Sequence, residues 1–245
     1  MALPTHTAFT IAFLIGIVPA ITLLYYTLKE YESTLKDELL FFSILTGLFL
    51  GIVVSFFHLV ISAELPYLNI ITLVLVVVSF ALFENIVKVV FVQLRRFGAE
   101  FTTTYYGATF GIIVGASITM GRTYEFFSSD LAVVEMVGIV IFALAIIFMN
   151  GATGAWIGFG HHDQNLRWSL ISAILVSIPF NLLVFWWYLF HYAFEPDFED
   201  LTLIGGALAY AVFVFMYSYF RIMPEALPEK ERRKRLRERR KAASR

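Results

Sequence analysis

The chain of 245 residues contains no cysteine. That excludes disulfides, thiolate metal sites, a cysteine nucleophile and S-palmitoylation. Charge is scarce as well. Only 15% of the residues are Asp, Glu, Lys or Arg, against about 25% in soluble domains. With 59% of the residues apolar, the chain cannot be a water-soluble globule. Long polar stretches between the apolar runs are also missing, which leaves no room for a separate soluble domain. The opening MALPTHTAF has no basic residue. The apolar run after it exceeds the ~7–15 residues of a signal-peptide core and lacks a small-x-small cleavage pattern. It reads as a first membrane span, not as a cleaved signal.

Apolar runs are what the chain has in quantity, together with 26 Phe and 12 Tyr of the kind that anchor spans at lipid interfaces. A span needs about 20 mostly apolar residues. The qualifying stretches are Ala8–Thr27, Leu39–Ala63, Tyr67–Val92, Thr104–Gly121, Leu131–Phe159, Trp168–Tyr192 and Leu201–Phe220. The expected fold is therefore all-α, a polytopic transmembrane bundle of about seven spans. Residues 1–220 form its membrane domain and residues 221–245 a basic tail. Pro19 and Pro179 are expected kink points, and the fifth stretch has a possible break near Gly151–Gly154.

Positive charge sets the expected orientation, because Lys and Arg gather in cytoplasmic connections. If the tail is cytoplasmic, Lys29, Lys36, Arg95, Arg96 and Arg167 are cytoplasmic too, and Arg122 alone falls in an external connection. Seven spans then place the N-terminus outside. The tail, EKERRKRLRERRKAASR, reads as a helix-forming anchor attracted to anionic lipid headgroups. No nucleic-acid partner is expected.

Ionisable residues at membrane depth are functional candidates, since each costs roughly 2.5–3.5 kcal/mol at a span centre. In LFENIVKV, Glu84 and Lys88 stand one helical turn apart with Glu first, the favourable order for pairing. They are the candidate catalytic residues. The plainer reading is a lysine snorkelling toward headgroups beside a paired glutamate. In the fourth span Gly107, Gly111 and Gly115 recur every fourth residue and make one smooth face for a close helix crossing. Asn85, Asn150, Ser177 and Asn181 are the expected lining of a polar intramembrane cavity open toward the cytoplasm. Independent interhelical hydrogen bonds are the alternative. His58, Glu135 and His191 read as interfacial. His161, His162 and Asp163 cluster in a connection but do not complete a metal site, so neither metal nor cofactor is expected. The chain has no H-E-x-x-H, Walker loop or G-x-S-x-G. The seventh span has no lysine for a retinal Schiff base.

The order of these motifs resembles the PrsW-type intramembrane proteases, relatives of the type II CAAX prenyl proteases and of the gamma-secretase scaffolding subunit. The resemblance runs from about Leu39 to Leu183. Glu84 and Lys88 match the first Glu and the Lys of a Glu-Glu-x-x-Lys motif, with Asn85 at its second Glu. Tyr106, Gly107 and Gly111 match the opening of the second motif. Its later positions fall on Ile113, Val114 and Ile118, the last where the family has Glu. A family His falls on Asn150, with Ala155 and Gly158 fitting the small residues behind it. In the His-x-x-x-Asn/Asp motif, Ser177 takes the His and Asn181 keeps the Asn. The resemblance thus implies a non-catalytic or vestigial member that binds a membrane protein, peptide or lipid through its polar cavity. An active glutamate-dependent intramembrane protease and a small-solute transporter or channel are the alternatives.

Overall fold

In the computed structural model the described residues are 4–62, 70–127, 133–193, 198–230 and 232–233. They are helical throughout, without a strand among them. The long helices are α1 (Thr5–Leu28), α2 (Asp37–Ser62), α3 (Ile70–Val92), α4 (Thr103–Phe127), α5 (Val133–His162), α6 (Leu166–Ala193) and α7 (Phe198–Tyr217). A short 3-10 turn at Glu32–Thr34 precedes α2. A π-helical turn at Ser218–Ile222 leads from α7 into the short α8 (Met223–Ala226).

Six helical segments are long and apolar enough to cross a membrane. The protein is therefore a multi-pass, integral membrane protein. The helix missing from the six is α4, and the reason is its position. Almost all of its side chains are buried, from Thr103 through Phe127, so α1, α2 and α5 stand between it and the lipid. A helix so largely enclosed by its neighbours can carry Gly, Ser and Thr in place of Leu and Ile. Small residues are what let backbones approach.

The crossings fix the directions. A Cβ added at Gly107 would meet Gly154 O, and one at Gly158 would meet Thr103 O, so α4 and α5 run antiparallel. Gly47 faces Phe110 and Ile113 while Gly51 faces Ser117 and Val114, so α2 runs parallel to α4. At one end of the bundle Tyr31 stacks on Tyr105 at 4.2 Å. The Tyr105 hydroxyl donates to the Met223 carbonyl at 2.8 Å, which ties the start of the tail to the first turn of α4. Lipid-facing positions on α2 carry bulky residues such as Phe41, Phe49 and Phe56.

Two expectations change. α5 is one unbroken helix across Gly151–Gly154. Pro19 lies within α1 and Pro179 within α6, where each removes a backbone hydrogen bond. The fourth helix ends at Phe127, not near Gly121, so Arg122 is a buried helical residue with 3% exposure and not part of an external connection. Its guanidinium donates to the His58 carbonyl at 3.1 Å and pairs with Glu125 at 3.2 Å. The tail beyond Arg233 lies outside the described residues. Arg233 itself pairs with Glu229 one turn earlier.

Candidate functional site

The candidate residues converge. Glu84, Asn85 and Lys88 come from α3, Asn150 from α5, and Ser177 and Asn181 from α6. All six are buried. Asn85 Nδ2 donates to Ser177 Oγ at 3.0 Å and to the Ala81 carbonyl at 2.7 Å. Lys88 Nζ donates to Thr153 Oγ1 at 2.8 Å and to Asn85 Oδ1 at 3.3 Å. With 1% exposure Lys88 does not snorkel. Its ammonium ends inside the bundle, on Thr153 of α5. Such bonding is the condition for keeping a cation out of water.

The Glu84–Lys88 pair expected from the spacing is not the contact that forms. Glu84 Oε1 instead lies 2.9 Å from His58 Nε2, and both side chains are almost fully buried. The two are an ion pair by distance, although the ring nitrogen lacks hydrogen-bond alignment with the oxygen. Asn150 Nδ2 donates to the Ile146 carbonyl of its own helix at 3.1 Å. His58 is therefore not interfacial. It stands edge-on to Phe80, with ring centroids 4.0 Å apart, and its backbone carbonyl receives Arg122.

One void borders this cluster. Its volume is about 10 Å³, and it is lined by His58, Arg122, Phe142, Ile146, Asn181, Val184 and Phe185. That is room for about one water molecule. Asn181 Nδ2, on its wall, is buried without a protein hydrogen-bond partner, and Asn150 Oδ1 is in the same position nearby. Orphaned polar atoms beside a water-sized void are what an ordered water satisfies. Of the four residues expected to line an open polar cavity, Asn181 borders this small void, while Asn85 and Ser177 bond to each other across helices. Glu84 is not among the void's lining residues. His58 both lines the void and touches the carboxylate.

Sequence reasoning missed His58, Arg122 and Thr153, and two of them left a signal. Gly47, Gly51, Ser55 and His58 follow one another at helical spacing, and the first three face α4. His58 extends that inward stripe by one turn. Arg122 is seven residues beyond Gly115, which places it on the glycine face of α4. Thr153 carried no such mark. A threonine in a run of small residues is unremarkable until a lysine is found opposite it.

The other candidates lie outside the hydrogen-bonded network. Gly107, Gly111 and Gly115 form the α4–α5 seam. Added Cβ atoms there would lie 2.4 Å from Gly154 O, 2.1 Å from Asn150 O and 2.9 Å from Ile147 Cα. The helices meet backbone to backbone, as the four-residue spacing predicts. His162 Nδ1 lies 3.3 Å from the Ala99 carbonyl. Among the described residues no group of three metal-capable side chains forms. Glu135 is half-buried in the first turn of α5, and the His191 side chain lies outside the described residues. Comparison with protein-family models, with curated proteins and with solved structures finds no match for this chain.

Proposed function

We propose that the buried network is a water-activating centre and the protein a membrane-embedded hydrolase of the PrsW-like kind, with Glu84 essential. The observation that carries this reading is the Glu84–His58 contact at 2.9 Å beside a void of about 10 Å³ that His58, Arg122 and Asn181 share. The sequence argument for a non-catalytic member rested on a missing imidazole, and His58 supplies one from an unexpected helix. His58 is the group positioned to take a proton from a water in the void. Glu84, in contact with Nε2, would stabilise the imidazolium that results, as an acid does behind a catalytic histidine. Arg122 and the Asn181 amide are donors on the void wall where an oxyanion would develop. Lys88, held by Thr153 and Asn85, balances the charge of Glu84.

The PrsW-like assignment draws support from one further pattern. Of the positions matched to that family's motifs, Glu84, Asn85 and Lys88 on α3, Asn150 on α5 and Ser177 and Asn181 on α6 are all buried, while those of the second motif, Tyr106, Gly107 and Gly111, lie on α4, the two glycines at its seam with α5. Asn85 and Ser177, which stand where the family has Glu and His, bond to each other. A substrate peptide would enter where α2 meets α3. Those helices touch sparingly, through Phe57 on Phe80 and Phe83 and His58 on Phe80.

The non-catalytic reading is kept as the second, favoured by the amide and hydroxyl groups at positions 85, 150 and 177. Reconstitution with a broad set of membrane-peptide substrates separates the two. Turnover that is lost in Glu84→Gln, with folding intact, is the expected result. A wild-type protein that cleaves nothing in the set would point to the non-catalytic member.

The same reading includes an orientation. Apart from Lys88 and Arg122, both inside the bundle, every Lys and Arg belongs to the end that carries the tail. That end is proposed as cytoplasmic. A cysteine at Ser244 should resist impermeant thiol reagents in intact cells, and one at Thr5 should react. The reverse pattern would overturn the orientation.

A further inference from the structure

A second concave region lies at the junction of α1 and α2, away from the polar network. Its volume is about 240 Å³, and it is lined by Ile21, Leu24, Tyr25, Leu28, Leu35 and Leu40, with Lys29, Glu32 and Asp37 at its mouth. The walls are apolar along the last two turns of one span and the start of the next. The charges stand where those spans end. Ile21 is 57% and Tyr25 59% exposed, so the groove opens sideways toward the bilayer. Lys29 sits over the Tyr25 ring at 5.8 Å, which places the cation above the apolar wall.

Size and charge together identify the occupant. The volume is below the roughly 300–1,000 Å³ of a pocket that encloses a whole small ligand. It suits a molecule that inserts in part and leaves the remainder in lipid. The mouth offers one cation and two carboxylates, so a simple anionic head would face net repulsion. A head with a phosphate and a separate ammonium fits, with phosphate on Lys29 and ammonium on Glu32 and Asp37. We infer that this groove binds one phospholipid with a phosphate–ammonium head, the type of phosphatidylethanolamine. Its upper acyl chain lies along Leu24 and Leu28. The site is independent of the polar network and of the hydrolytic reading.

The test uses the full chain in non-ionic detergent. It is supplied with phosphatidylethanolamine and an excess of phosphatidylglycerol, the latter to occupy the basic tail. Native mass spectrometry then counts retained phosphatidylethanolamine. Wild type should keep one molecule per chain. Replacing both acids (Glu32→Gln with Asp37→Asn) should lower that retention about fivefold or more, the scale of a single charge's attraction at a membrane surface. Ile21→Trp fills the groove from an exposed position and should lower it independently. A thermal melt confirms that each variant is folded. Wild type that retains no phosphatidylethanolamine, or folded variants that retain as much as wild type, would overturn the assignment.

Discussion

Glycine serves opposite ends in two helices of this bundle. In α4 an added Cβ at Gly111 would sit 2.1 Å from a backbone oxygen of α5, and at Gly107 2.4 Å. In α7 an added Cβ at Gly205 or Gly206 would meet nothing within 4 Å. The first pair permits contact between backbones. The second pair leaves the helix with the entropic cost of glycine and no packing in return. Spacing already separates them: glycines four apart share a face, whereas adjacent glycines cannot. Hence α4 is the interior helix around which the site is assembled. Asn150 is held at the close crossing, where an added Cβ at Gly111 would lie 2.1 Å from its backbone oxygen.

The comparison can be broken most severely at Gly111. Gly111→Leu should prevent the α4–α5 seam from closing and abolish a monodisperse folded species in detergent. Even Gly111→Ala should reach the upper part of the ~1–3 kcal/mol cost of overpacking, or exceed it. A thermal melt of either variant that matched wild type would show that the seam is not a close crossing.

The next effect concerns the polar network that the seam positions. Glu84→Leu should lower stability by about 1–3 kcal/mol more than Glu84→Gln, because leucine leaves buried His58 without its polar partner. Adding His58→Leu to Glu84→Leu should recover part of that loss, since an apolar pair of similar volume replaces a buried ionic one at little cost. Equal stability of the Gln and Leu variants would mean that the carboxylate is not part of a bonded network.

The smallest effect belongs to the open helix. Gly206→Ala should be neutral or stabilising by up to ~1 kcal/mol, the helix-propensity difference. A loss comparable with that at Gly111 would show that another surface covers this face.

Much of the fold was legible because lipid imposes a simple rule on sequence. The seven stretches each became a long helix, with ends within a few residues for all except α4. That end was misjudged because Arg122 and Glu125 read as the start of an aqueous connection. In the structure each is the other's partner, which lets the helix run on to Phe127. Within the site, Asn85, Asn150, Ser177 and Asn181 stood out as polar side chains on otherwise apolar spans, and of these Asn85 and Ser177 bond to each other. The partner of Glu84 was not recognisable. The i,i+4 spacing pointed to Lys88, yet the Lys88 ammonium ends on Thr153 and Asn85 and leaves the carboxylate to an imidazole from α2. Contacts between spans distant in sequence depend on tilt and rotation, which a single span's pattern does not encode.

The central claim is that Glu84 and His58 act as one unit on a water molecule. A double-mutant cycle on turnover in reconstituted membranes tests it, with Glu84→Gln, His58→Asn and the combination, each checked for folding. If the pair is a unit, either single change should remove nearly all activity and the double should be no worse than the more damaging single. Losses that multiply, as for independent sites, or full turnover with His58→Asn, would contradict it.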